Sequence, residues 1–273
     1  MKSGQPFRVA AIVTAAGSSA RMGGSVSQPA VKKEYRMLPG YTDGDGRPLT
    51  VLGSAVSAFA EVPAVSKIIV TVPPGRDNAE DEARAALPEG LGGLPGIVFV
   101  RGGENRQTSV YRALRYLQVL QADGEHYDLV LIHDGARPWV SASLINAVIG
   151  AARVHGAAIP VVPVIETPKI LDNAETGDGA ISGFITRHPR RKCVVFAQTP
   201  QGFRFEPLME AHEHAAKAER AAKNDEFTDD AEVWAFAWPQ MKIAAVPGEA
   251  ANKKITFPED LPAHLPVSGV CLC

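Results

Sequence analysis

The chain has 273 residues, of which 45% are hydrophobic, and its formal net charge is −2 at pH 7. This length suits one large α/β domain, and the near-neutral charge excludes a protein that binds nucleic acid through overall basicity. No apolar run is long enough to span a bilayer, and residues 1–6 lack a signal-peptide core. Three cysteines are too few for a disulfide framework, so we expect a cytoplasmic protein, in which Cys271 and Cys273 belong to a frayed tail.

A loop of small residues follows the first predicted strand. Residues 9–13 are an apolar run typical of a short buried strand, and the loop after it contains Ala15, Ala16 and Gly17 and ends on Arg21. Small residues let backbone N–H groups approach an anion closely. Arg21 and Lys33 then supply positive charge where negative charge builds up. The stretch therefore predicts a loop that binds a nucleoside triphosphate and takes part in the chemistry.

Strand-like and helix-like segments alternate as far as Pro163. The alternation predicts a mostly parallel sheet with right-handed crossovers, flanked by helices. The prolines in the run 157–162 suggest an edge strand or an exit from the sheet. We predict strands at 67–72, 97–100, 129–133 and 157–162, and helices at 49–60, 78–86 and 141–155, with a further helix that ends near 120.

Polar residues follow two of these strands. A glycine pair, 102–103, leads into a helix, where Ser109 and backbone N–H groups can lie over a ligand, or where Thr108 or Ser109 simply caps the helix. Asp134 and Arg137 follow the run 129–133. They stand at the carboxyl end of a strand, where open α/β sheets bind ligands, although a local Asp134–Arg137 turn pair is the alternative.

The pattern changes after Pro163. Segment 163–193 is rich in turn residues and predicts a protruding β-hairpin arm. An isolated hairpin is only marginally stable in water, so we expect the arm to lean on a second subunit. The chain returns to the sheet at 194–197, and the last strand is predicted at 243–246.

Two polar pairs near the C-terminal end admit a metal interpretation. His212 and His214 lie two positions apart on a predicted helix at 206–223, so they do not share a face, and surface histidines are the favoured interpretation. Asp229 and Asp230 have the form of a helix N-cap, which we prefer to a metal pair. We also predict a short helix that starts at Pro258.

The first loop differs from two well-known phosphate loops. Ser19 and Ala20 interrupt the G-x-G-x-x-G fingerprint, and no acidic residue closes the second strand to hold a ribose, which disfavours hydride transfer. The G-K-[ST] of a Walker loop is absent as well.

Six motifs in order resemble the 2-C-methyl-D-erythritol 4-phosphate cytidylyltransferase family of the non-mevalonate isoprenoid pathway, from about Val9 to Leu261. The motifs are Ala15–Gly17 with Arg21, Met22 and Lys33; Gly102-Gly103 with Arg106, Ser109 and Val110; His133-Asp134 with Ala136–Pro138; Ala197–Phe203; Thr228–Ala231; and Asn252 with Lys254–Thr256 and Pro258–Leu261.

The resemblance implies a Rossmann-like fold of the nucleotide-diphospho-sugar transferase type. It also implies that CTP and methylerythritol phosphate react to give the CDP-alcohol and pyrophosphate, with Mg²⁺ held mainly by the CTP phosphates. The implied catalytic cations are Arg21, Lys33 and Lys254. The implied CTP-binding residues are Ala15, Ala16, Gly17, Gly103 and Ser109, and the implied substrate-binding residues are Asp134, Arg137, Thr167, Arg191 and Thr199.

The family's arm crosses to the other subunit of a homodimer, so Thr167 and Arg191 are expected to act in trans. The segment between Met22 and Lys33 is longer than the family's usual loop, which leaves Lys32 as an alternative to Lys33. Pro168 also removes an N–H from the arm. A cytidylyltransferase for ribitol 5-phosphate or another polyol phosphate, and an inactive dimeric scaffold of the same fold, remain alternative functions.

Overall fold

The computed structural model describes residues 7–17, 32–177, 180–218 and 227–262. The strands are β1 Val9–Thr14, β2 Met37–Thr42, β3 Pro48–Thr50, β4 Val65–Val72, β5 Ile97–Arg101, β6 Leu129–Asp134, β7 Ala157–Pro163, β8 Ile170–Gly177, β9 Ala180–Arg187, β10 Val195–Ala197, β11 Gln201–Arg204 and β12 Ala244–Pro247. The helices are α1 Val51–Ala60, α2 Ala79–Ala85, α3 Arg106–Ala122, α4 Ala142–His155, α5 Phe205–Lys217 and α6 Asp230–Ala237.

An eight-stranded sheet forms the centre of the fold, in the order β10-β7-β11-β6-β1-β4-β5, with β12 paired to β7. Strands β6, β1, β4 and β5 run parallel, and so do β12 and β7. Strands β10 and β11 run antiparallel to β7, and β11 also pairs antiparallel with β6. The predicted α/β class and mostly parallel sheet are therefore confirmed.

The two faces of the sheet explain why β1 is a continuous apolar run. Val9, Ala11 and Val13 pack on one face against α1, α2 and α4, whereas Ala10 and Ile12 pack on the other against α3, α5 and α6. A strand buried on both faces has no polar alternation. Helix caps set the starts of two helices, since Thr50 accepts from the Gly53 N–H and Ser141 from the Leu144 N–H.

Strand β7 is an interior strand where an edge was expected. Ala158 has Gly202 of β11 on one side and Ala244 of β12 on the other. Pro160 is accommodated because it lies opposite the break between β10 and β11, where its carbonyl accepts from the Gln198 N–H at 2.8 Å. The edge prediction was wrong, but the chain does leave the sheet after Pro163.

A separate two-stranded sheet forms from β8 and β9. This hairpin lies within the predicted arm of 163–193, and Phe184 on β9 is 79% exposed. A second hairpin, β2–β3, was not expected from the sequence. Among the helices that the structure describes, none combines the length and the apolar character needed to cross a membrane.

Candidate active site

The predicted phosphate loop and the glycine pair meet at the carboxyl edge of the parallel strands. Thr14 of β1 is in register with Asp134 of β6 and with Thr71 of β4. The Ala15 N–H donates to the backbone and side-chain oxygens of Thr71, which fixes the start of the loop. A Cβ on Gly102 would collide with the Cβ of Ala16 and the hydroxyl of Ser109. Glycine at this position lets the two turns approach closely.

The glycine pair is held by the start of α3. Asn105 is the N-cap, since its side chain accepts from the Thr108 N–H at 2.8 Å. The Thr108 hydroxyl accepts in return from the Asn105 N–H at 3.1 Å, so Thr108 takes part in the cap, which was one of the two alternatives expected here. The buried Ser109 hydroxyl accepts from the Gly103 N–H at 3.0 Å and donates to the Asn105 carbonyl at 2.7 Å. Ser109 therefore shapes the turn, and the predicted CTP contact remains a prediction.

Asp134 lies at the centre of a cationic cluster. Its Oδ2 atom is 2.9 Å from Lys254 Nζ and 3.5 Å from Arg137 Nε, and its Oδ1 atom is 3.6 Å from Arg106 Nε. Burial raises the pKa of Asp134, but the charge of Lys254, then of Arg106 and Arg137, lowers it far below its ordinary value. The structure thus brings Asp134, Arg137 and Lys254 together, as expected, and adds Arg106.

Backbone carbonyls from a distant segment hold Arg137 in place. The Arg137 guanidinium donates to the Asn252 carbonyl at 2.8 Å, and the Asn252 side chain donates to the Thr199 carbonyl at 2.8 Å. Gln198 also donates to the Asn252 carbonyl, at 3.3 Å. The buried Asn252 thus ties the segment that carries Lys254 to the end of β10 and to Arg137.

The protonation of the His133 ring determines whether the Thr199 hydroxyl donates or accepts. Burial lowers the pKa of His133 to about 4, so the ring is neutral at pH 7. Its Nε2 atom is 3.1 Å from the Arg137 carbonyl, which only accepts, so Nε2 carries the proton. Its Nδ1 atom then accepts from the Thr199 hydroxyl at 3.0 Å. Because the Thr199 oxygen also accepts from the Asp134 N–H at 3.1 Å, Thr199 can contact a substrate only as an acceptor.

The two candidate loop lysines point to different partners. Lys32 is buried, donates to the Gly17 carbonyl and lies 3.6 Å from Glu34. Burial lowers the pKa of Lys32, and Glu34 opposes this shift. Lys33 donates to the Ile255 carbonyl at 2.9 Å, next to Lys254 in the chain. Lys33 therefore lies beside the segment that carries Lys254, whereas Lys32 lies beside the phosphate loop.

Two further predicted residues, Thr167 and Arg191, stand apart from this cluster. Thr167 and Arg191 are exposed on the arm, where Arg191 donates to the Ile165 carbonyl at 3.1 Å. No hydrogen bond or ion pair in the described part of the chain joins either side chain to Asp134. Arg21 lies outside the described residues.

The two polar pairs for which a metal site was considered, His212/His214 and Asp229/Asp230, include residues that bind within the protein. His212 is buried, not at the surface as expected, and its Nε2 lies 3.1 Å from Asp230. Asp229 is the N-cap of α6 and accepts from the Glu232 N–H at 2.8 Å, as predicted. In the ranges described above, no group of three or more His, Cys, Asp or Glu side chains could hold a metal ion.

Arg106 and Asn252 had no expected role in the site, and Asp230 was expected only as part of a helix N-cap. Each stands in one of the six motifs, which was the only signal for it. Their partners are distant in sequence, so spacing alone could not connect them.

Comparison with known proteins gives consistent matches over nearly the whole chain. A family model described as IspD, 2-C-methyl-D-erythritol 4-phosphate cytidylyltransferase, matches residues 9–264. The enzyme of that name from Pelotomaculum thermopropionicum is 37% identical, over 93% of this chain and 91% of the relative. A bifunctional enzyme IspD/IspF from Nitrobacter hamburgensis is 36% identical over 93% of this chain, which spans only 53% of that relative. The chain thus has about half the length of such bifunctional relatives.

Solved structures agree with the fold. A 4-diphosphocytidyl-2C-methyl-D-erythritol synthase from Anaerococcus prevotii superimposes with a TM-score of 0.68 at 27% identity, covering 93% of each chain. The 2-C-methyl-D-erythritol 4-phosphate cytidylyltransferase from Thermus thermophilus gives a TM-score of 0.60 at 30% identity, covering 92% of this chain and 94% of that one.

Proposed function

Because the chain belongs to the 2-C-methyl-D-erythritol 4-phosphate cytidylyltransferase family, we propose that it transfers CMP from CTP to 2-C-methyl-D-erythritol 4-phosphate. A phosphate oxygen of the alcohol phosphate attacks the α-phosphorus of CTP, the bond between that phosphorus and the bridging oxygen breaks, and pyrophosphate leaves. The observation that carries the proposal is the cluster of Lys254 and Arg137 on Asp134, beside the small-residue loop and the glycine pair.

The chemistry of the cluster suits this reaction. A phosphate monoester is largely ionised at neutral pH because its second pKa is about 6, so the attack needs no general base. Asp134 is held ionised by cations, and His133 is buried and neutral with both ring nitrogens bonded. Neither group is suited to remove a proton near pH 7. The remaining requirements are in-line placement and neutralisation of charge.

We assign the residues to three roles. The catalytic cations that stabilise the transition state are Arg21, Lys33 and Lys254. Ala15, Ala16, Gly17, Gly103 and Ser109 form the CTP site. The N–H groups of Ala15, Gly103 and Ser109 donate within the protein, so we assign the N–H groups of Ala16 and Gly17 to the phosphates. Asp134, Arg137 and Thr199 bind the alcohol phosphate, with Thr199 accepting from a sugar hydroxyl and Arg137 donating to the phosphate, together with Thr167 and Arg191.

Magnesium belongs to the same proposal. Asp134 is already bonded to Lys254, Arg137 and Arg106, which leaves it poorly suited as a metal ligand. The donor set fits an ion that arrives with the triphosphate and takes its ligands from phosphate oxygens and water. When bound, Mg²⁺ would neutralise triphosphate charge. The chain's own contribution is the N–H groups of Ala16 and Gly17 and the cationic side chains, since the Ala15 N–H already donates to Thr71.

The arm supports a proposed homodimer. Three apolar side chains on or beside the hairpin face solvent in the single chain: Phe184 is 79% exposed, Ile181 68% and Ile165 81%. Exposed apolar side chains close together mark interaction surfaces, and a lone hairpin is marginally stable. If the arm of one subunit lies on the other subunit, the Thr167 and Arg191 of that arm also reach the other subunit's active site. A cytoplasmic location remains our expectation from the three cysteines.

Pyrophosphate release from CTP tests the function. The assay uses wild-type protein, CTP and Mg²⁺ with methylerythritol phosphate, with ribitol 5-phosphate, or with no alcohol. We expect release only with methylerythritol phosphate. Release with ribitol 5-phosphate alone would indicate the sister cytidylyltransferase, and no release with either alcohol would favour the inactive scaffold.

A further inference from the structure

Arg106 connects the Asp134 cluster to a second, deeper carboxylate. It is the first residue of α3, and its Nε lies 3.6 Å from Asp134 Oδ1 while its Nη2 lies 2.7 Å from Asp230 Oδ2. Asp230 is the first residue of α6, and its other oxygen is 3.1 Å from Nε2 of His212 on α5. The guanidinium thus bridges two carboxylates that are distant in sequence and lie on different elements, β6 and α6.

Burial makes this bridge rigid. The side chains of Asp230 and His212 are 1% and 0% exposed, and the His212 ring stacks on Tyr111 of α3 at an interplanar angle of 5°. A buried carboxylate that loses its cation is strongly destabilised, because its charge is then left without a partner in a site that water does not reach. Asp230 therefore holds the guanidinium in one position. About a quarter of the Arg106 side chain remains exposed.

The two oxygens of Asp134 have different partners. Oδ2 faces Lys254 and Arg137, whereas Oδ1 faces Arg106. Without Arg106, the carboxylate could rotate and present both oxygens to Lys254 and Arg137. Those two cations would then be oriented toward Asp134 instead of toward phosphate oxygens.

We propose that Arg106, anchored by Asp230 and His212, is a positioning residue that fixes the Asp134 carboxylate and thereby orients Lys254 and Arg137. This inference rests on the proposed CMP transfer. Arg106 acts through Asp134 and does not itself contact the reacting atoms. Asp230 acts in turn through Arg106, so their kinetic effects are coupled.

The test compares Arg106→Gln, Arg106→Lys and Asp230→Asn with a control ion pair between α3 and α5. Arg115 on α3 and Glu213 on α5 form a similar pair at 3.9 Å, but Arg115 is 55% exposed. Arg115→Gln and Glu213→Gln therefore alter an exposed α3–α5 ion pair outside the cluster, and we expect them to leave kcat and KM unchanged. Steady-state constants are measured for CTP and for methylerythritol phosphate, and thermal unfolding is recorded for every variant.

We expect Arg106→Gln to lower kcat/KM for the alcohol phosphate by about 10- to 100-fold, the usual effect of removing a residue that orients a ligand. The KM for CTP should stay near the wild-type value. Arg106→Lys keeps the charge but cannot bridge both carboxylates, so it should restore part of kcat. Asp230→Asn should act in the same direction, and the double variant should be no worse than Arg106→Gln, because the two residues act as one unit.

Several results would overturn the inference. One is a fall in melting temperature with wild-type kcat and KM in the folded fraction, since that marks a purely structural pair. Another is full additivity of Arg106→Gln and Asp230→Asn in kcat/KM. If Arg106→Gln does not fold, wild-type kinetics in both Arg106→Lys and Asp230→Asn would overturn it equally. An inactive wild-type protein, by contrast, would count against the proposed function itself.

Discussion

At the residue scale, the neighbours of Asp134 determine its role. A carboxylate at the end of a parallel strand is a common candidate for a base, but the cations around Asp134 hold its pKa far below the ordinary value. It stays ionised at every pH at which the enzyme is expected to work. Besides its proposed part in binding the alcohol phosphate, we therefore expect Asp134 to hold Lys254 and Arg137 in place.

The lysine pair gives a direct test at this scale. We expect Lys33→Ala to lower kcat by roughly 10²-fold or more with little change in CTP affinity, because its charge matters most in the transition state. Lys32→Ala removes the buried contact to Gly17 and the pair with Glu34. It should lower the melting temperature and weaken CTP binding. Single-turnover rates and CTP titrations of both variants separate the effects, and a kcat loss in Lys32→Ala alone would reverse the assignment.

His133 predicts a pH dependence of stability. Its pKa is about 4 in the folded protein and about 6.5 when unfolded. Between these values the unfolded chain binds more protons at this site, so the contribution of His133 to the free energy of unfolding falls as pH decreases from about 6.5 to about 4 and levels off below that. The loss is about 3 kcal/mol by linkage.

Urea unfolding of wild type and His133→Gln at pH 7 and pH 4.5 checks this value. The variant should be less stable at pH 7, because it loses the hydrogen bonds to Thr199 and Arg137. Its stability should also depend less steeply on pH. His155→Gln, which changes a histidine of the last turn of α4, serves as the control, and an equal pH slope in His133→Gln and wild type would contradict the prediction.

At the element scale, the proposed site residues lie in two places, at the carboxyl ends of the parallel strands and on the arm. The parallel strands bring the first loop, the glycine pair and Asp134 to one edge, since their carboxyl ends are in register. Thr167 and Arg191 lie instead on the arm, which pairs only with itself in the sheets of the described chain. A site that needs all of these residues is complete only if an arm reaches it.

Subunit mixing tests whether the arm acts in trans. Arg191→Ala should raise the KM for the alcohol phosphate, because it removes a cation that binds the phosphate. An inactive Arg191 variant mixed with an inactive Lys33 variant should regain up to about a quarter of wild-type activity, since exchange produces one intact site in half of the dimers. Absence of recovery, with exchange verified by a mass tag, would place the arm residues in their own subunit's site.

At the scale of the whole molecule, the local pattern of the chain was sufficient for much of the fold. A strand buried on both faces must be apolar throughout, which revealed β1, β4 and β6. Amphipathic periodicity revealed α1 and α4. The order of motifs placed Asp134, Arg137 and Lys254 in one site, and the structure brings these three together.

Other features depend on contacts between segments that are far apart in sequence. The interior place of β7 results from pairing with β11 and β12, which its own prolines do not reveal. His212 is buried because α6 carries Asp230 against it, and a helix sequence shows its polar residues but not the element packed on them. The link from Asp230 through Arg106 to Asp134 exists only once α3, α6 and β6 are packed together. The sequence by itself thus determined the buried strands and predicted which residues carry the chemistry, whereas the tertiary structure decided which of these residues pair with one another, because ion pairs form between neighbours in space.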